Sequence, residues 1–89
     1  MRSYIKVNYT GNQLILSRAA AEMLNTFEPK GCPFQNYTLL DLLKDLYEMY
    51  SWRIQQDTSI VDFIEMLKEF SDKAQAYGDE MILILKAFD

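Results

Sequence analysis

The sequence predicts a small α+β domain with the element order β-β-α-α-α-β, in which helices cover a small three-stranded sheet mainly on one face. Three observations predict this fold: residues 4–9 alternate between apolar and polar, later stretches repeat apolar residues at helical spacing, and residues 81–85 are continuously apolar. Alternation is typical of a half-buried strand, and a short apolar run is typical of a strand buried on both faces. Because 89 residues have room for one core, we expect a single domain over residues 1–89.

The first two predicted strands form a hairpin. The alternating strand at 4–9 is followed by Gly11 and Asn12, which both tolerate positive φ and suit a two-residue turn, and the second strand then covers 13–16. Ser17 follows, and its hydroxyl can accept from the free amides of a helix predicted at 18–27.

A loop rich in Pro and Gly separates the first helix from the second. The second helix begins at Thr38, where Asp41 three residues later makes a start similar to a capping box. Apolar side chains fill about half of its circumference, which is more than the arc of about 100° that an ordinary surface helix buries. Trp52 falls within the polar sector, so either the helix ends near Ser51 or the indole faces solvent or a partner.

The third predicted helix begins at Ser59 and carries one apolar stripe, including Phe70, without a break to Tyr77. Gly78 is expected to end this helix in the left-handed conformation. The apolar run at 81–85 would then form the third strand, either beside the first strand in the order 2-1-3 or in the centre of the sheet. On the wet face of the helix we expect two ion pairs, Glu65 with Lys68 and Glu69 with Lys73.

The residue types that usually carry catalysis are scarce. The chain has no histidine and one cysteine, Cys32, which lacks its customary base and is interpreted as a packed or idle thiol. The carboxylate pairs Asp41/Asp45 and Glu65/Glu69 lie on polar helix faces near lysines, which indicates a solvated surface and no metal site. We therefore expect a protein that is not an enzyme and has no cofactor and no metal.

The charge of the chain is uneven. Residues 1–37 hold four basic and two acidic residues, for a charge of +2, whereas residues 38–89 hold five basic and eleven acidic residues, for a charge of −6. The acidic half would repel a phosphate backbone. Nucleic-acid binding by the N-terminal hairpin is therefore the less favoured alternative.

The sequence also predicts where the protein resides. It has no apolar stretch approaching the roughly 20 residues that span a bilayer, and the N-terminus lacks the apolar centre of a signal peptide. Together with the absence of a disulfide pair, this favours a soluble, cytoplasmic protein without a membrane partner.

Tyr47, Tyr50, Trp52 and Arg53 are the candidate partner-binding residues. Tyr, Trp and Arg anchor many interfaces, because they bury a large area with few rotors and keep a polar group for a hydrogen bond. Tyr47 and Tyr50 lie at helical spacing, which is more often typical of core residues than of contact residues. We expect a small acidic regulator, inhibitor or subunit, of phage or mobile-element type, that binds another protein. A homo-oligomeric module, such as a homodimer, is the alternative.

Two short segments resemble the barstars, which are acidic inhibitors of a basic nuclease. The helix from Phe70 to Tyr77 with Gly78 and the strand after it is similar to the end of a barstar, and Leu40-Asp41-Leu42-Leu43-Lys44-Asp45 is similar to the start of a barstar helix. The Gly and Asn that should precede that motif are replaced by Gln35-Asn36-Tyr37-Thr38-Leu39. The resemblance implies an inhibitor and carries over no functional residue.

Overall fold

Four α-helices and a two-stranded antiparallel ribbon make up the part of the chain that the structure describes, which is residues 6–8, 13–54 and 58–87 of a computed structural model. In chain order the elements are β1 (Lys6–Asn8), β2 (Gln13–Ile15), α1 (Arg18–Leu24), α2 (Leu39–Tyr50), a 3-10 turn (Ser51–Arg53), α3 (Ile60–Leu67) and α4 (Asp72–Lys86).

The predicted three-stranded sheet is wrong, because the apolar run at 81–85 lies in α4. Ala74, Met81 and Leu85 are buried at helical spacing on one side of α4, whereas Leu83 is 74% exposed. A strand would have buried all five residues of the run between neighbouring strands, whereas a helix satisfies its backbone hydrogen bonds internally and needs one covered face. The described residues form a mainly helical fold, not an α+β fold with helices on a sheet.

The long third helix of the prediction is two helices. α3 ends at Leu67, and the amides of Phe70 and Ser71 both donate to the carbonyl oxygen of Leu67, at 2.8 and 2.9 Å. The hydroxyl of Ser71 then accepts from the amide of Ala74 at 3.3 Å and caps α4. Because a side-chain oxygen satisfies a free amide of the next helix, the chain can change direction here without leaving that donor unpaired.

Gly78 lies inside α4 and does not end a helix, contrary to the prediction. It is buried, and a Cβ atom at this position would lie 2.9 Å from both Cγ and Cδ of Lys68 and 3.3 Å from Cγ2 of Ile64. The missing side chain therefore allows α4 to pack closely against the end of α3.

The described N-terminal elements match the prediction in type, and β2 and α1 end earlier than predicted. β1 and β2 pair antiparallel, with Val7 opposite Leu14, while the predicted turn at Gly11 and Asn12 lies outside the described residues. The hydroxyl of Ser17 caps α1 as predicted. α1 ends at Leu24 and not at 27.

The start of α2 confirms the capping prediction. The amide of Asp41 donates to Oγ1 of Thr38 at 3.2 Å, and the amide of Thr38 donates to Oδ2 of Asp41 at 3.0 Å. The amide of Leu39 donates to the carbonyl oxygen of Phe27 at 2.9 Å, which ties the start of α2 to the chain just after α1. These bonds satisfy donors that a helix start leaves free.

The core joins all four helices. α4 packs against α3 and α1, and α1 also packs against α2. No helix among the described residues is long and apolar enough to cross a bilayer. The fully buried large side chains are Leu24, Leu39, Leu42, Leu43, Leu46, Ile60, Phe63, Ile64, Leu67, Met81 and Leu85.

Candidate protein-binding surface

Trp52 and Arg53 are directed outward by the turn that follows α2. The 3-10 turn is closed by a hydrogen bond of 3.1 Å from the amide of Ile54 to the carbonyl oxygen of Ser51, and Ile54 is itself buried. Because Ile54 holds the end of the turn in the core, Trp52 remains on the outside and is 66% exposed. Both of the alternatives that the sequence left open are therefore present, because α2 ends at Tyr50 and the indole is also exposed.

Arg53 stacks on two aromatic rings. Its guanidinium carbon lies 4.4 Å from the centre of the Trp52 ring and 4.1 Å from the centre of the Phe70 ring. We call these three residues the stack. A guanidinium over an aromatic face is attracted by the ring quadrupole, by about 0.5–1 kcal/mol at exposed sites. The stack therefore holds three side chains together on the surface.

Phe70 joins this surface because α3 and α4 are separate helices. The sequence placed it in a buried stripe, but it lies in the connection before Ser71 and is exposed. The hydroxyl of Tyr50 donates to the carbonyl oxygen of Phe70 at 3.2 Å and ties that connection to the end of α2. Tyr50 therefore positions Phe70. Ser71 followed by Asp72 was the sequence signal for the break.

Tyr47 lies behind this surface and not on it. It is 6% exposed, and its ring packs edge-to-face on Phe63 with ring centres 5.8 Å apart. Its hydroxyl is buried and has no hydrogen-bond partner among the described residues, and burial raises the pKa of this phenol. Tyr47 thus takes the core role that the sequence had left open as an alternative.

An open groove of about 300 Å³ runs beside α2. Met49, which is 58% exposed, contributes to its wall one turn before Trp52, and Lys73 contributes from α4 three residues after Phe70. Apolar and charged side chains alternate around the groove. The lining residues are Leu42, Asp45, Leu46, Glu48, Met49 and Lys73.

Phe34 and Tyr37 lie near the groove through their contacts with two lining residues. The Tyr37 hydroxyl donates to Oδ2 of Asp45, and Nζ of Lys73 lies 5.9 Å from the centre of the exposed Phe34 ring. The two rings are 5.5 Å apart. Burial, and then the hydrogen bond to the carboxylate, raise the pKa of Tyr37. The loop before α2 is thereby attached to the groove wall.

This surface offers aromatic and charged side chains for contact. The described residues contain no cluster of three or more Cys, Asp or Glu side chains that could hold a metal ion, and Cys32 is a half-buried free thiol. Exposed rings, a cation and an open groove with apolar and charged walls are elements found in protein interfaces.

No protein-family model matches the chain, and no curated protein or solved structure is detectably similar to it. The resemblance to the end of a barstar depends on a glycine helix end and a strand, whereas the structure has Gly78 and residues 81–85 within α4. A function for this chain must therefore be argued from its own geometry.

Proposed function

We propose that this chain is a small acidic, non-catalytic, cytoplasmic protein that acts by binding another protein, as a regulator, inhibitor or subunit. The contact surface is the stack of Trp52, Arg53 and Phe70 together with the groove beside α2. Tyr50 supports the stack through its bond to Phe70, and Tyr47 supports it from the core.

The observation that carries the proposal is the exposure of Trp52 within the stack. Tryptophan and arginine are the residue types most enriched among those that dominate binding energy, and clusters of them act when water is excluded around them. Here the indole is 66% exposed, and Arg53 lies over both the indole and the Phe70 ring, which holds the three side chains together. Such preorganisation lowers the entropy cost of association.

A capture experiment with matched variants tests the proposal. Tagged protein is crosslinked in its native cells, and the proteins recovered with wild type, Trp52→Ala, Phe70→Ala and Leu83→Ser are compared. Leu83 is the control, because it is also an exposed apolar side chain, at 74%, but lies away from the proposed surface. It is about 15 Å further along α4 than Lys73, which lines the groove. We expect a specific protein that wild type and Leu83→Ser recover and the two stack variants lose. Equal recovery by all four contradicts the proposal.

Trp52 also reports binding directly, because it is the only tryptophan in the sequence. Burial of an exposed indole by a partner shifts its fluorescence emission to shorter wavelength. Once a partner has been captured, titrating it onto wild type should produce this shift, and the Leu83→Ser variant should behave identically. A tight complex that leaves the emission of Trp52 unchanged places the interface elsewhere and contradicts the proposed surface.

Self-association is the alternative function, since exposed apolar side chains could also pair across a twofold axis. Each copy carries a charge of −4, so two copies repel one another at long range, whereas a basic partner is attracted. Sedimentation at two protein concentrations separates the alternatives. A dimer that persists on dilution and dissociates in Trp52→Ala supports the homo-oligomeric module.

A further inference from the structure

Arg53 is held by rings and not by carboxylates, although the chain is acidic. The ion pairs among the described residues join Arg18 to Glu22 and Lys68 to Glu65 and Asp79. No described carboxylate lies within ion-pair distance of Arg53, and its N–H groups have no hydrogen-bond acceptor within the part of the chain that the structure describes. With respect to the described residues, the stack thus presents a cation with unused donors.

The contact with two rings determines which parts of the guanidinium are available. The guanidinium carbon lies 4.4 and 4.1 Å from the centres of the Trp52 and Phe70 rings, and a guanidinium that stacks on a ring does so through a flat face. The five N–H donors point outward in the plane of the guanidinium, in a fork that matches the two oxygens of a carboxylate. Rings that fix the side chain also reduce the rotamer entropy lost when a ligand binds.

We propose that Arg53 is a receptor for a carboxylate of the partner protein, either an Asp or Glu side chain or a C-terminal carboxylate, which it binds through two parallel N–H···O hydrogen bonds. This inference rests on the proposed function, because it assigns the chemistry of the group that the partner brings to the same surface. In this assignment Arg53 makes the polar contact with the partner, and Trp52 and Phe70 make the apolar contacts beside it.

The surroundings of Arg53 favour a carboxylate over a phosphate. Glu69 and Asp72 lie on either side of Phe70 in the chain, and the protein as a whole has a charge of −4. A carboxylate brings a single negative charge, whereas a phosphate monoester brings about −1.5 to −2 at neutral pH and is repelled more strongly by these acids. A planar carboxylate also matches the two-donor edge of one guanidinium.

The test follows the side-chain Nε–H resonances of arginine by NMR at pH 6 while sodium acetate, sodium phosphate or sodium chloride is added at constant ionic strength. Arg18 is the matched reference, because its side chain is exposed and is already paired with Glu22 at 3.8 Å. We expect acetate to shift the Arg53 resonance at least about threefold further than that of Arg18, since Arg53 is held by two rings whereas Arg18 is paired with Glu22. Equal shifts for the two arginines overturn the inference. A stronger response of Arg53 to phosphate than to acetate overturns the assignment of a carboxylate.

Two variants show whether the stack causes the response of Arg53 to acetate. Phe70→Leu retains Arg53 and removes one ring, and Arg53→Lys retains the positive charge and removes the fork. We expect the acetate-dependent shift at Arg53 to fall to that of Arg18 in Phe70→Leu. In wild type we also expect acetate bound at Arg53 to change the fluorescence of the adjacent Trp52, and this change should disappear in Arg53→Lys. An unchanged response in either variant contradicts the inference. These measurements need no partner, so a failure of the capture experiment and a failure of this inference are distinguishable.

Discussion

The Nζ atom of Lys68 lies 2.6 Å from Oδ1 of Asp79, and this contact joins the end of α3 to the middle of α4. The alkyl part of Lys68 crosses the position where a side chain on Gly78 would project. The hydrogen bond to Asp79 raises the pKa of Lys68. One lysine thus fills the space that the glycine leaves and forms an ion pair with the residue that follows it.

Replacing Gly78 tests this packing. Alanine is favoured over glycine inside a helix by about 1 kcal/mol, but its Cβ atom would lie 2.9 Å from two Lys68 carbons. We expect Gly78→Ala to lower the free energy of unfolding by about 0.5–1 kcal/mol in wild type. In a Lys68→Ala background the same change should be neutral or stabilising. Urea unfolding of the four proteins measures this coupling, and purely additive effects would show that Lys68 does not restrict position 78.

Replacing Ser71 tests whether α3 and α4 are two helices or one continuous helix. If α3 and α4 were continuous, Ser71→Ala would stabilise the protein by up to about 0.5 kcal/mol, because alanine is the better helix former. Since Ser71 caps α4, we expect the variant to lose about 1 kcal/mol instead. Ser59→Ala is the matched control, because Ser59 caps α3 through the amide of Asp62 and should cost a similar amount. The change in the midpoint of thermal unfolding shows whether Ser71→Ala stabilises or destabilises the protein.

Replacing Leu83 and Leu85 tests whether residues 81–85 form a helix or a buried strand. In a strand they would share one buried side, so Leu83→Ser and Leu85→Ser would be equally damaging. In the structure Leu83 is exposed and Leu85 is buried. We expect Leu83→Ser to stay within about 0.5 kcal/mol of wild type and Leu85→Ser to cost about 3 kcal/mol or more. Equal costs in denaturant unfolding would support the strand.

Tyr47→Phe should stabilise the protein. The phenol oxygen is buried without a hydrogen-bond partner in the described structure, and an unsatisfied buried polar group costs about 1–3 kcal/mol. We expect a gain of about 1 kcal/mol from its removal. Tyr37→Phe is the opposite control, because it removes the bond to Asp45 and should cost about 1 kcal/mol. A destabilised Tyr47→Phe variant would show that the hydroxyl has a partner after all.

The raised pKa of Tyr37 predicts that the protein loses stability at alkaline pH. Its pKa in the folded state is raised above the ordinary value, first by burial and then by the hydrogen bond to Asp45. Below a pH of about 10 the phenol is protonated in both the folded and the unfolded states. Above that pH the unfolded state loses the proton first, so the free energy of unfolding falls as pH rises.

The difference between wild type and Tyr37→Phe isolates this contribution. Tyr47 and Lys68, whose pKa values are also raised, act in the same direction in both proteins. We expect the denaturant midpoint to fall less steeply above pH 10 in Tyr37→Phe than in wild type. Parallel pH profiles for the two proteins would contradict the assignment.

Local signals in the sequence predicted the starts of α1, α2 and α3 correctly, but not the start of α4. Ser17, Thr38 and Ser59 each cap a helix as expected, because a cap depends on one side chain and the amides of the next turn. The ion pair of Glu65 with Lys68 also forms, at 3.7 Å, for the same local reason. The expected pair of Glu69 with Lys73 is absent from the described structure, because α3 ends before Glu69 and the two residues no longer share one helix.

Part of the candidate surface could also be predicted. The rotation of about 100° per residue along α2 placed Trp52 outside the apolar arc, and the indole is exposed. Tyr47 and Tyr50 were ambiguous, because aromatic residues at helical spacing fit a core more often than a contact surface but are found in both. Phe70 could not be assigned to the surface, since its place in the stack depends on a break in the helix that apolar periodicity does not reveal.

The sequence by itself determined where α1, α2 and α3 begin, which side of α2 is buried and that Trp52 lies outside it, because these properties depend on residues within a few positions of one another. Only the tertiary structure decided that residues 81–85 form a helix, that Gly78 is a contact point and that Arg53 meets Phe70. A short apolar run suits a strand or a helix equally well, and the choice depends on which partners remote segments provide.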